Sequence, residues 1–183
     1  MKSIPMGGLE LQIIKEEFTD FVILDLEGKT REDVLLNIAK FAKEKGLIAN
    51  EQIVYQKFLA REGLGTTAIG ASVALPEACW IEMARPYAFI LCRTKEEIAF
   101  NSLDKKPVRI ILATLGGDKD DLSRLKYIRR FVAALESIHF RTRFLKAATE
   151  ADVYSVLCAE GMGFDKLRKM CISREKEKMK NDQ

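Results

Sequence analysis

"YAFILC" (87–92) and "VRIILATL" (108–115) decide the fold. Each is a short, nearly continuous apolar run. A strand with one wet face alternates apolar and polar residues, so unbroken runs of this length mark strands buried on both faces. Strands of that kind need helices above and below them. Between the two, "EEIAF" (96–100) offers a further short strand and "SLDKKP" (102–107) a turn.

The reading extends upstream. "FVILDL" (21–26) is a brief β-rich run that ends at the turn-forming "EGK". Thr30 then supplies an N-cap, and Glu32 and Asp33 place acids in the first turn, where the helix dipole favours them. Val34, Leu35, Ile38, Ala39 and Ala42 form one apolar helical stripe, closed by Gly46. A second helix starts near Asn50, with Ile53, Phe58 and Leu59 expected to face inward, and stops near Gly63.

Downstream, "GGDKDD" (116–121) reads as a loop into a helix from about 121, with Leu122, Leu125, Ile128, Val132 and Leu135 as its stripe. Thr149 caps another helix through about Glu160, with Asp152 in the capping-box position. Helices, clustered strands and helices again do not make a regular βαβ alternation. The expected class is α/β, a mixed β-sheet flanked by helices on both faces. The expected organisation is a lead-in over 1–17, one domain over 18–160, and a charged, helical extension over 161–183.

Composition fits a globular domain and narrows its chemistry. The chain has 183 residues, 48% of them hydrophobic and 31% charged, enough for one substantial core. A net charge of +3 does not by itself point to nucleic acid. Cys79, Cys92, Cys158 and Cys171 are scattered without a CxxC pair, and His139 is the sole histidine. Zinc-site and multi-histidine readings therefore lose their support, and free thiols in a reducing cytoplasm are expected. The opening "MKSIPMGGLELQIIKEEF" lacks the long apolar run of a leader, and no stretch approaches the ~20 apolar residues of a membrane span.

The most unusual stretch is "REGLGTTAIGASVALPE" (61–77). Its glycines suggest a phosphate loop, but the lysine-threonine ending of a Walker loop is missing and the dinucleotide spacing is wrong. On their own terms Gly63, Gly65 and Gly70 are turn and close-approach positions, and Thr66 and Thr67 offer hydroxyls. The segment from Arg124 to Lys146 is rich in base, with Lys126, Arg129, Arg130, Arg141 and Arg143. Most simply these line the solvated face of a helix; docking of an acidic partner or nucleic acid is the alternative, without the interleaved aromatics that would favour the latter. His139 lies outside the unusual stretch and reads as a surface or helix-end residue.

Arg61, Glu62, Gly65, Thr67, Ile69, Gly70, Ala74 and Pro76 carry a resemblance. With their spacing, the stretch resembles the signature of the fructose/mannitol-type enzyme IIA domains of the bacterial phosphotransferase system, including the nitrogen-related regulatory branch. "FVILDLEGKTREDVLLNIAKFAKEKGLI", "PVRIILATLGGDKDDLSRLKYIRRFVAAL" and "KAATEADVYSVL" extend the similarity over about 18–160. The resemblance implies an α/β fold and a shallow site at the strand ends. There a histidine takes a phosphoryl group from HPr and passes it to a IIB partner, or its state is read by a regulatory partner.

In that pattern the active histidine falls on Glu77 and the second histidine on Asp121, while Arg61 keeps the arginine. Glutamate is the poorer nucleophile and already anionic. A carboxylate about 4 Å from a unit negative charge costs on the order of 4 kcal/mol at an effective dielectric of 20. The resemblance thus implies a member without phosphotransfer, acting as a regulatory or interaction protein. Glu77, Arg61 and Asp121 mark the inherited centre, with Gly65, Thr66, Thr67 and Gly70 shaping a phosphate or partner face. Glu77 beside Arg61 would form either a fixed phospho-like anion or a plain surface ion pair. A divalent metal between Glu77 and Asp121 lacks ligands, so no metal and no cofactor are expected. The partner would be HPr or a IIB-like protein, a kinase, a transporter or a transcription factor. The alternative is an active phosphocarrier that uses an unusual residue.

Overall fold

The computed structural model describes residues 21–116 and 122–159. The expected lead-in, the C-terminal extension and Asp121 lie outside the described residues.

In chain order the elements are β1 (Phe21–Leu26), α1 (Arg31–Glu44), α2 (Glu51–Gly63), β2 (Ala68–Gly70), β3 (Val73–Ala74), β4 (Glu77–Cys79), β5 (Tyr87–Ile98), β6 (Val108–Gly116), α3 (Leu122–Glu136), α4 (Ile138–Lys146) and α5 (Glu150–Ala159). The strands form one mixed sheet in the order β1-β5-β6-β3-β2, with β4 also on β6. β1 runs parallel to β5, β5 antiparallel to β6, and β3 and β4 both parallel to β6. β3 lies opposite Ile110 and Ile111, and β4 opposite Thr114 to Gly116, so the two form one interrupted strand beside β6, broken at Leu75–Pro76.

The unbroken apolar runs of β5 and β6 are divided between two cores. Ala88, Ile90, Cys92, Ile111, Ala113 and Leu115 point toward α1 and α2. Phe89, Leu91, Ile110 and Leu112 point toward α3, α4 and α5, where they meet Phe131, Phe140, Phe144 and Tyr154. Both faces of the sheet are dry, as the runs require.

The helix ends follow the local chemistry. Thr30 accepts from the backbone N–H of Asp33 while the Asp33 carboxylate accepts from the N–H of Thr30, a reciprocal cap. Thr149 and Asp152 repeat the arrangement at α5. Asn50 caps α2 through the N–H groups of Gln52 and Ile53.

Several expectations are corrected. Ile53 is more than half exposed, and Val54 takes the inward position beside Phe58. Leu125 is exposed, and Arg124 is buried in its stead. "EEIAF" forms no separate strand: β5 continues to Ile98 after a register shift beyond Arg93. Ser137 separates α3 from α4, a helix that the sequence reading does not anticipate.

Candidate functional site

β4 and β6 end side by side, and the site begins there. Glu77 and Cys79 sit on one side of β4, two residues apart, while Ala78 between them is buried in the core beneath α1 and α2. Across the register Glu77 faces Thr114 and Cys79 faces Gly116. The chain then turns at Trp80, which is exposed and has a φ of 60°.

The cation that meets Glu77 is Arg124, from the first turn of α3. Its Nη1 donates to Glu77 Oε1 and lies 3.6 Å from Cys79 Sγ. The Arg124 side chain is 1% exposed and that of Glu77 21%. Gly116 eases the crossing: a Cβ there would stand 3.3 Å from Arg124 Cδ. Burial alone would pull the guanidinium down, but its bond to Glu77 and the charges of Cys79 and Glu77 outweigh it and hold it above the ordinary arginine value. Arg124 is therefore permanently charged beneath the surface.

Arg61 does not make this contact. From the last turn of α2 it donates to the Gly65 carbonyl at 3.1 Å, closing the loop that follows its own helix. The expected Glu77–Arg61 pair is corrected to Glu77–Arg124. Distance along the chain hid the partner, since the two residues are 47 positions apart.

The remaining motif residues build the loop. Glu62 is buried and accepts from the Thr67 hydroxyl, from the Thr67 N–H at 3.3 Å, and pairs with Arg31 at 3.8 Å. Thr66 Oγ1 donates to the Phe100 carbonyl at 2.6 Å and accepts from the Ala68 N–H. Both threonine hydroxyls are thus engaged inside the fold. Gly70, at φ 94°, opens a two-residue reversal through Ala71 and Ser72, both also at positive φ. Asp104 holds that reversal by accepting from the Ala71 N–H at 2.9 Å, and a Cβ on Gly70 would press against its carboxylate. The bond from the Ser102 hydroxyl, then those from the Lys106 and Ala71 N–H groups, keep the Asp104 carboxyl below the ordinary range.

His139 is exposed on α4. Among the described residues no group of three or more His, Cys, Asp or Glu side chains is placed to hold a metal ion. Nor is any helix long and apolar enough to cross a membrane. The sequence reading missed Arg124 and Cys79 as site residues. The available signal was spacing: Arg124 stands four residues before Ile128 and seven before Phe131, on the stripe that packs inward.

Comparison with known proteins places this architecture. Residues 17–159 match the family model described as phosphoenolpyruvate-dependent sugar phosphotransferase system, EIIA 2. A nitrogen regulatory protein of Bradyrhizobium diazoefficiens is 31% identical over 109 residues, covering 59% of this chain and 70% of the relative. Against the PTS system fructose-specific EIIABC component of Bacillus subtilis, the matched region spans only 21% of the relative's length. The crystal structure of nitrogen regulatory protein IIA-Ntr from Neisseria meningitidis superposes with a TM-score of 0.69 at 19% identity, covering 79% of this chain and 99% of that one. Enzyme IIAMTL of Escherichia coli, solved in complex with phosphorylated enzyme IIBMTL, gives a TM-score of 0.60 at 17% identity over 75% of this chain and 94% of that one.

Proposed function

Because the chain belongs to the EIIA type-2 family of the phosphoenolpyruvate-dependent sugar phosphotransferase system, we propose that it serves that system as a regulatory or interaction protein, with Glu77 in place of the phosphoryl-accepting histidine. The observation that carries this reading is the Glu77–Arg124 ion pair. A phosphoryl acceptor needs a lone pair that is free and nucleophilic near neutral pH. Glu77 offers a carboxylate already engaged by a buried guanidinium, and an incoming phosphoryl group would have to approach that anion.

The pair also changes what a partner meets. Glu77 is charge-compensated, so the face is less anionic than a phosphorylated side chain. Exposed apolar residues occur in the same part of the sequence, Leu64 after α2, Ile69 on β2 and Trp80 just past β4. Such residues at a polar rim favour protein contact. We assign the partner to the same system, HPr-like or IIB-like, or to a kinase, transporter or transcription factor that reads a IIA surface; the protein would act in the cytoplasm.

The test is intact mass after incubation with phosphoenolpyruvate, enzyme I and HPr, beside a histidine-bearing IIA domain as the positive control. The expected result is a labelled control and an unmodified protein. A phosphate adduct mapped to Glu77 would make the protein an active carrier with an acyl-phosphate intermediate and overturn the reading. An adduct on His139 would move the active centre to α4.

A further inference from the structure

Charge is divided unequally between the two helical layers. α1 and α2, on one side of the sheet, carry five bases and five acids. Two of those bases are paired at the surface, Arg31 with Glu32 and Lys43 with Glu51, both at 2.6 Å. α3 and α4, on the other side, carry seven bases and one acid, Glu136. Two of the seven serve the fold: Arg124 faces inward, and Arg141 donates to the Leu135 and Glu136 carbonyls, the second at 2.9 Å, at the end of α3. The other five, Lys126, Arg129, Arg130, Arg143 and Lys146, are exposed and make no ion pair among the described residues.

Their spacing sets them on two stripes. Lys126, Arg129, Arg130 and Ala133 lie at intervals of three, four and seven along α3, and His139, Thr142, Arg143 and Lys146 repeat those intervals along α4; all eight are exposed. The opposite faces of both helices are spent on one core, through Phe131, Leu135, Phe140 and Phe144, so both stripes look out from the same layer. Leu125, Ile138 and Leu145 are exposed beside them, each one position before a stripe residue. Lys126 and Arg130 stand four apart, and Arg143 and Lys146 three apart, so like charges repel within each stripe until anions arrive.

We propose that this surface of α3 and α4 docks the acidic face of a partner protein. Arginine's planar fork pairs with carboxylates, and the three apolar residues add contact area between the charges. Other polyanions fit less well. A nucleic acid extends beyond the patch, and elsewhere in the chain acids outnumber bases. No aromatic ring of the two helices is exposed for a base to stack on: the phenylalanines are buried, and Tyr127 lies half-buried against Tyr87 and Phe89. A bilayer surface takes up a broad apolar face, which both helices already give to the core. Docking of this kind needs nothing from Glu77, so phosphorylation at that residue would leave it standing.

The experiment is fluorescence anisotropy of a labelled oligoglutamate of about 20 residues, titrated with the full chain. The wild type should bind it, and binding should weaken as salt rises, because exposed charges are screened. Arg129→Glu with Arg130→Glu should weaken binding at least about tenfold. Arg143→Gln with Lys146→Gln, the second variant, should lose about threefold. Lys40→Glu with Lys45→Glu makes the same change in net charge on the α1 side, at two exposed positions, and should cost less than about twofold.

No binding by the wild type, or equal losses in the α3 and α1 variants, would overturn the proposal. So would tighter binding of a DNA duplex of about 20 base pairs, or of vesicles containing phosphatidylserine, than of oligoglutamate. If the α3 variant fails to fold, loss of binding in the folded α4 variant supports the surface, and unchanged binding there overturns it.

Discussion

At the scale of single residues, Glu77 and Arg124 are unequal partners. Removing the acid takes an anion from a buried cation, whereas removing the base leaves a carboxylate that already touches water. Glu77→Ala should therefore cost about 3–4 kcal/mol, the lower part of the range for breaking a buried pair. Arg124→Met, which keeps most of the buried volume, should cost less. Urea unfolding of both single variants and the double variant would measure the difference and the coupling between them. Equal costs for the two would mean that Glu77 is solvated and the pair contributes little. The acidic half of this pair was legible in the sequence, because the motif spacing pointed to position 77. The basic half was not. A charged residue reads as solvent-facing until the packing of Phe131 and Ile128 fixes which side of α3 is inside.

At the scale of elements, the caps and strands were the legible part. Thr30 and Thr149 carry their own signals within three residues, and β5 and β6 announce two dry faces by composition alone. The misreadings, Ile53 and Leu125, came from helices whose apolar residues fit two adjacent registers; only the sheet decides between them. The caps also predict an acid response. The bonds from the Lys29 and Thr30 N–H groups and the Thr30 hydroxyl lower the Asp33 carboxyl, and the bonds from Thr149 and Ala148 lower Asp152, each from an ordinary 3.8. A depressed folded value gives stability that is present above the unfolded value and lost as pH falls through the folded one. The gap between wild type and Asp33→Asn or Asp152→Asn should hold steady from about pH 8 to 5 and close below 3.8. Thermal melts across that range would check it.

Arg93 ties elements together in a way no local pattern shows. Its guanidinium donates to the Leu24 carbonyl of β1 at 2.6 Å and to the Leu145 and Ala147 carbonyls at the end of α4 at 3.0 and 2.7 Å, and it pairs with Asp25. Three chain segments share one side chain. Arg93→Ala should cost about 3 kcal/mol, since hydrogen bonds to a charged donor contribute about 1.5–3 each and water replaces some of them. Arg93→Lys should recover less than half, because an ammonium cannot span the same acceptors as a planar fork. Full recovery in a denaturant titration would reduce Arg93 to a point charge.

At the scale of the whole molecule, charge and reactivity are distributed unevenly. Lys126, Arg129, Arg130, Arg143 and Lys146 are exposed on α3 and α4 and make no ion pair among the described residues. The surface of that layer is cationic, in keeping with the solvated helix face expected from the sequence, while Arg124 of the same run faces inward. Cys92 lies at the centre of the sheet, fully buried, and burial pushes its thiol far above the ordinary value. Its alkylation by iodoacetamide should proceed only through global unfolding and track the urea stability, whereas half-buried Cys79 reacts in the native state. Peptide mapping after timed labelling separates the two. Labelling of Cys92 at the rate of Cys79 would reveal an opening of the sheet without unfolding.

The gap left by Gly116 makes the order of engineering steps matter. A designer who wants histidine at position 77 has two routes to the same double variant, and only the end points share a free energy. Changing Glu77 first passes through a protein whose buried cation has lost the Glu77 carboxylate; neutralising Arg124 first passes through one with a wetted acid and an intact core. The second path stays above the folding threshold more easily. A side chain larger than hydrogen at position 116 would press on Arg124 Cδ at 3.3 Å and make the arginine stem shift by a few tenths of an ångström on either path while Arg124 remains. Positions 77, 116 and 124 therefore behave as one unit of change, and a substitution scan that alters them singly would misjudge each of them.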